Sequence, residues 1–309
     1  MSGSHDHGHG HSHGHNHSHN ANKKALMFSF ILTTAYMLAE VIGGLMTNSL
    51  ALLSDAGHMV SDAISLAVGL AAFKFGEKVA DESRTYGYKR FEILAALFNG
   101  VLLIVISLYI LWEAYNRFLA PSAVQGTGML IIAILGMLVN LSVAWILLKG
   151  DTSENLNLRA AFLHVIGDLV GSIGAIVAAL LILLFSWEWA DPVASILVSI
   201  LILVSGWRVT RDAIHVLMEG KPHGVDVEEI KKKLLAMAAV KNVHDLHIWS
   251  ITSDFPSLSC HLVVAGNNDR DVVLREATDL LHQEFSIKHT TVQIEGESSN
   301  LKDKEECCN

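Results

Sequence analysis

Six long apolar stretches fill the chain between Ala25 and Leu217, and they restrict what it can fold into more than any other feature. They run Ala25–Met46, Ser49–Phe73, Phe91–Tyr115, Val124–Leu148, Leu158–Phe185 and Pro192–Val216. Each is near or above the roughly 20 residues that a bilayer-spanning helix needs. Charge is correspondingly scarce: 17% of the 309 residues, against about 25% in an ordinary soluble chain. The expectation is an α-helical polytopic membrane protein with six transmembrane helices over residues 25–217. Asp191 followed by Pro192 reads as an N-cap with proline at the first position of the sixth helix.

The links between stretches orient the chain. Lys78, Arg84, Lys89 and Arg90 lie between the second and third, Lys149 and Arg159 around the link from the fourth to the fifth, and Arg208 and Arg211 at the end of the sixth. The opposite loops offer almost nothing basic beyond Arg117. By the positive-inside rule both termini are cytoplasmic, in a cell (inner) membrane protein.

Three further segments flank the spans. Residues 1–24 alternate His with Gly, Ser, Asn and Asp, which cannot bury a core and predicts a disordered cytoplasmic tail that gathers metal loosely. Over residues 218–296 the pattern turns to αββαβ. Asp226 and Glu229 cap a helix to about Ala239; strands follow at Val243–Ile251 and Leu258–Ala265, then a helix at Asp269–Phe285 and a strand at Thr290–Glu295. That order predicts a small ferredoxin-like α/β domain with its helices on one face of the sheet. Residues 297–309 form an acidic tail with Cys307 and Cys308. With Cys260 they make three cysteines, too few for a disulfide framework. A net charge of −9 argues against nucleic acid as a partner.

The chemistry sits inside the spans. His58 and Asp62 are four apart in the second stretch, and His164 and Asp168 are four apart in the fifth. Residues four apart share one helix face, one turn above the other. Two such faces turned together offer two imidazoles and two carboxylates, the ligand number of a tetrahedral zinc site. Ionisable groups inside a membrane are costly and mark ion pathways or proton relays. Two neutral imidazoles and two carboxylates carry −2, which a divalent cation cancels, and protons compete with metal for the same side chains. Asp55 shares the face of His58 and Asp62, as a residue behind the ligands or as a structural hydrogen-bonding group. Glu40 in the first span reads either as a path residue or as a carboxylate near a helix end paired with a neighbour. Asn99 and Asn140 read as ties between helices. Gly167, Gly171 and Gly174 form a small-residue stripe suited to close packing.

Three segments carry a resemblance: Asp55-Ala-Gly-His58-Met-Val-Ser-Asp62, Tyr86-Gly-Tyr-Lys-Arg90-Phe-Glu92 and the run from Asn157 to Asp168. Together with His244-Asp-Leu-His247-Ile-Trp249-Ser they closely resemble the cation diffusion facilitator family over about residues 25–296, above all its bacterial cobalt–zinc–cadmium resistance members. The resemblance implies a homodimeric metal/proton antiporter, with His58, Asp62, His164 and Asp168 as transport ligands. It implies zinc as the chief substrate, cadmium or cobalt as lesser ones, export from the cytoplasm, and no organic cofactor. It also implies a structural or regulatory zinc site in the cytoplasmic domain at His244, His261 and Glu295, with His289 near another such position. His261 and its neighbour Cys260 point to opposite faces of their strand, so one chain cannot bring both to one site. Some relatives carry an extra site after the second span, built from an Asp and two His. Here Asp81 is present, but Arg84 and Tyr88 stand in the other positions, so no metal is expected there, and the loop's basic residues are expected to form salt bridges and contact lipid.

Two rival classes are open to a metal-handling membrane chain. An intramembrane metalloprotease wants His-Glu-x-x-His and an open metal position, and no such motif occurs. A metal-sensing receptor wants an output module, which the small C-terminal domain lacks.

Overall fold

The computed structural model describes residues 15–76, 80–148, 156–252, 255–266 and 268–297. Within these, the side chains of 15–30, 62, 65–76, 147–148 and 156–164 fall outside the described set. Six long helices come first: α1 His15–Thr47, α2 Leu50–Gly76, α3 Phe91–Leu119, α4 Gly126–Leu148, α5 Leu156–Phe185 and α6 Ala190–Leu217. They coincide with the six apolar stretches to within a few residues, except that α1 already begins at His15, inside the tail expected to be unstructured. Extending a formed helix costs far less than starting one, so the apolar part of α1 can carry polar residues ahead of it. Among the described residues, α3, α4, α6 and Val165–Phe185 of α5 are long and apolar enough to cross a membrane on composition alone.

The chain divides into two compact units, Met1–Ala63 with Leu102–Ser205, and Ile64–Val101 with Gly206–Asn309. In the first unit the packing is small-residue packing. Ala51 and Leu52 of α2, Ala133 of α4, Ala175, Ala178 and Ala179 of α5, and Ala190 and Ala194 of α6 form one buried cluster. Small side chains let helix backbones approach closely where lipid supplies no hydrophobic drive. Large apolar groups such as Leu108, Trp112, Leu138, Leu184 and Leu201 are exposed, as suits a hydrocarbon surround. Buried polar groups tie the helices: Ser54 and Ser199 Oγ atoms lie 3.2 Å apart, and Asn140 Nδ2 donates to Ser172 Oγ at 3.3 Å, joining α4 to α5.

Asp191 does not cap its own helix. It lies in the first turn of α6, and its carboxylate accepts from the start of α2 instead: from Ser49 Oγ at 2.6 Å, Leu50 N at 2.8 Å and Ala51 N at 3.0 Å. The exposed N–H groups at the start of α2 need acceptors, and this carboxylate from a neighbouring helix supplies them.

In the second unit, α7 (Val227–Leu235), β1 (Val240–Ser250), β2 (Pro256–Val264), α8 (Arg270–Phe285) and β3 (His289–Gly296) give the expected αββαβ order. Asp226 caps α7, accepting from the N–H groups of Glu228 and Glu229. This helix stops at Leu235 rather than near Ala239, because β1 begins early by pairing Val240 with Val264. The sheet order is β1-β2-β3, with β1–β2 antiparallel and β2–β3 parallel. Leu258, Cys260, Leu262 and Val264 alternate along β2 and face a core completed by Ile230 and Leu234 of α7 and Val273, Ala277 and Leu281 of α8. One face of the sheet is thus covered by helices, and the opposite face is left for polar residues.

Candidate functional site

Two clusters of metal-ligating residue types emerge, one among the membrane helices and one on the open face of the sheet. In the first, Asp55 and His58 of α2 and Asp168 of α5 line one cavity of about 540 Å³. Asp55 is 5% exposed and Asp168 3% exposed, while His58 is half-buried. The cavity extends between α5 and α6 toward Trp187 and Trp189, whose stacked rings lie 5.4 Å apart in and beside the α5–α6 connection. Asp62 and His164 occupy α2 and α5, one turn from His58 and Asp168, but their side chains fall outside the described residues.

Gly167, Gly171 and Gly174 all line this cavity, and their role differs from the close packing expected of them. Among the described residues, a methyl group at Gly167 or Gly174 would meet nothing within 4 Å beyond its own helix. At Gly171 it would stand 3.1 Å from Asp55 Oδ1, so the glycine lets that carboxylate lie closer against α5 than a larger residue would. The stripe opens a space beside Asp168 and seats Asp55. Ser172, a residue further on, donates to the Asp168 carbonyl at 3.1 Å while accepting from Asn140.

Glu40 is 1% exposed and lies about two turns before the end of α1 at Thr47. Tyr36, one turn away, donates to its Oε1 at 2.9 Å, and Asp55 is a charged neighbour close to it. A third carboxyl therefore adjoins the cavity-lining pair of Asp55 and Asp168.

The second cluster is made by the sheet. His244 of β1 stands opposite His261 of β2, and Glu295 of β3 reaches both. His261 Nδ1 lies 3.0 Å from Glu295 Oε1, and His244 Nε2 lies 3.3 Å from Glu295 Oε2. Ligand atoms of the three lie within 4.8 Å of one another. A tetrahedral zinc at about 2.0–2.1 Å from each ligand needs them little more than 3 Å apart, so a small inward rotation suffices. Three protein ligands leave a position for water or a further group. Glu295 is 3% exposed and is held on its other side by Gln293 Nε2, which donates to Oε1 at 2.8 Å.

A β-bulge between His244 and His247 builds this face. Val243 and Ile248 both point into the core although they are five apart, which regular alternation forbids. The one extra residue flips the parity and sends His244 and His247 to the same outer face. Asp245 takes the left-handed conformation within the bulge, with φ +52°. Its carboxylate meets His247 Nε2 at 2.8 Å and His261 Nε2 at 3.5 Å, and the His247 hydrogen bond holds its pKa below the usual value. Asp245 and Gln293 were missed from sequence. Gln293 was within reach, since period-2 alternation puts it on the face of Glu295, but the bulge that brings in Asp245 leaves no such signal.

His289 does not belong to this site. It opens β3, six residues or roughly 20 Å of strand from Glu295. Its ring contacts Tyr86 at 5.6 Å and Phe255 at 5.7 Å, and Lys89 sits over the Phe255 ring at 4.0 Å. After α2, Asp81 is enclosed by its own turn. Oδ1 accepts from Ser83 Oγ and from the N–H groups of Ser83 and Arg84, and Oδ2 accepts from Tyr88. These bonds, that of Ser83 foremost, hold Asp81 down at about 2.

Comparison with known proteins assigns both parts of the chain. Residues 26–218 match a family model described as the cation efflux transmembrane domain, and residues 222–297 match one described as the cytoplasmic domain of cation efflux protein. A cadmium, cobalt and zinc/H(+)-K(+) antiporter of Bacillus subtilis is 55% identical over 286 residues, 90% of this chain and 91% of the relative. The zinc transporter ZitB of Pectobacterium atrosepticum is 44% identical over 275 residues, 89% of this chain and 86% of the relative. The metal cation efflux system protein CzcD of Cupriavidus metallidurans is 42% identical over 276 residues, 89% of this chain and 87% of the relative.

Proposed function

Because the chain belongs to the cation diffusion facilitator family of efflux transporters, we propose that it exports zinc above all, with cadmium and cobalt as lesser substrates, in exchange for protons. It is a multi-pass membrane transporter of divalent transition metals and not an enzyme. The protease and receptor alternatives have no support from its relatives. The working unit is a homodimer, in keeping with its cytoplasmic domain type. Both termini face the cytoplasm across the inner membrane, on the distribution of Lys and Arg.

The ion rests between α2 and α5 on His58, Asp62, His164 and Asp168. The observation that carries this reading is the meeting of Asp55, His58 and Asp168 on one cavity lined otherwise mainly by glycines and apolar side chains. Carboxylates there are costly without a counter-charge, and either a metal ion or protons supply one. Exchange of the two is then the transport cycle, since ligands must shed protons to take metal. His244, His261 and Glu295 bind a second, regulatory metal ion in the cytoplasmic domain, supported by their convergence within coordinating range.

Everted membrane vesicles test the proposal. Zinc uptake should follow an imposed pH gradient, and Asp168→Ala should remove it. Zinc flux indifferent to the gradient would sink the antiport reading, and full flux in Asp168→Ala would sink the site.

A further inference from the structure

The turn between α1 and α2 is held by far more than its own chain. Asp191, fully buried, accepts three hydrogen bonds from Ser49, Leu50 and Ala51, so α6 caps α2. Arg117 of α3 stands 3.6 Å from the same carboxylate. It also donates to the Asn48 carbonyl at 2.6 Å, to Asn48 Oδ1 at 3.1 Å and to Glu113 at 3.1 Å. Asn48 sits at φ +56°, donates to the Ala123 carbonyl at 3.2 Å, and follows Thr47, whose carbonyl accepts from Gln125 N at 2.9 Å. Two neighbouring helices, α3 and α6, and the α3–α4 loop thus fasten a two-residue turn.

This arrangement constrains what α2 does next. Each residue along a helix advances about 1.5 Å and turns about 100°. Pinning the N–H groups of Leu50 and Ala51 from outside therefore fixes the height and the rotation of the whole helix. Asp55 follows one turn later and His58 about two turns later, the two groups α2 is seen to send into the cavity opposite Asp168. A slip of a single residue would swing both off that face.

We infer that Asp191 is a positioning residue for metal transport: through the start of α2, and steadied by Arg117, it sets the register that aims Asp55 and His58 at the ion. The inference rests on the reading of that cavity as the transport site. Asp191 touches no metal, and its charge suits the positive end of the α2 dipole. Arg117 supplies a counter-charge beside this buried carboxylate.

The test is zinc uptake by the full-length chain in proteoliposomes, per molecule of folded protein, with Asp191→Ala, Asp191→Asn, Ser49→Ala and Asp168→Asn. Asp191→Ala should raise the KM for zinc about tenfold, within the range a lost N-cap commands. Asp191→Asn keeps an oxygen for the same N–H groups and should bring KM back to within about threefold of the parent, because Asn caps as well as Asp. A role in stability alone would lower the yield of folded protein and leave KM where it was, so a parental KM in Asp191→Ala overturns the inference. Should that variant fail to fold, Ser49→Ala removes one of the three hydrogen bonds to Asp191, together with the bond that Ser49 Oγ accepts from Leu52 N at 3.3 Å, and should raise KM at least about twofold, the order of one modest hydrogen bond; a parental value there overturns it equally. Undiminished flux in Asp168→Asn would instead refute the transport-site reading.

Discussion

Replacing Gly171 by alanine should damage transport while leaving α5 well formed. The added methyl would lie 3.1 Å from Asp55 Oδ1 and 3.5 Å from both Cγ and Oδ2, so the carboxylate must give way by a few tenths of an ångström. Asp55 is 5% exposed and has little room to do so. Overpacking of this kind costs about 1–3 kcal/mol. Against it, alanine in place of a mid-helix glycine gains about 0.5–1 kcal/mol. The balance, about 0–2.5 kcal/mol, leaves the fold standing but falls on one side chain of the site. Gly174 is the control: it lines the same cavity, and among the described residues a methyl there meets nothing within 4 Å beyond its own helix. Zinc flux into vesicles at limiting metal, normalised for protein, should fall about tenfold in Gly171→Ala, the equivalent of about 1.4 kcal/mol at the ion. Gly174→Ala should transport like the parent and melt no lower. Parental flux in Gly171→Ala, or an equal loss in Gly174→Ala, would refute the assignment of Asp55 to the working site.

Two further outcomes concern the cytoplasmic domain. Burial pushes the Cys260 thiol, 1% exposed, from an ordinary value of 9.0 up to about 12. Its contribution to stability is therefore complete below pH 9 and lost as pH climbs through about 12; in a chain with Cys307 and Cys308 replaced by serine, a maleimide at pH 7.5 should label nothing until the domain unfolds, and rapid native labelling would contradict the burial. Glu295→Gln removes the charged oxygens that face both His244 and His261, so competition with a chromophoric chelator should show the cytoplasmic zinc at least about tenfold weaker, while vesicle flux through the membrane site persists. Unchanged zinc affinity would count against the cluster as a metal site.

What could be read in advance follows the reach of each physical signal. Periodicity is local, so the six spans and the αββαβ order were legible, and the strand alternation already sent Cys260 and His261 to opposite faces. The proposed His-x-x-x-Asp ligand pairs rest on the same kind of local pattern, since four residues make one helix face. Partners distant in sequence leave no such trace. Asp191 beside Pro192 satisfies every local rule for capping α6, yet its carboxylate serves α2, 140 residues away, because the α2 N–H groups were the ones left without an acceptor. The glycine stripe of α5 is equally ambiguous from sequence: small residues permit either a close neighbour or a hollow, and only the arrangement of α2 and α6 decides that Gly171 meets Asp55 while Gly167 and Gly174 border open space. The bulge at Asp245 breaks alternation without a glycine or proline to announce it, and so concealed the means by which His244 and His247 come to share a face. Each of these three features sits beside residues proposed to hold metal. A site for an ion must bring side chains from separate segments into one coordination sphere, so its distinguishing geometry lies in long-range contacts, which a pattern of neighbours cannot encode. The proposed ligands follow from local pattern, whereas the devices that aim them follow from contacts distant in sequence.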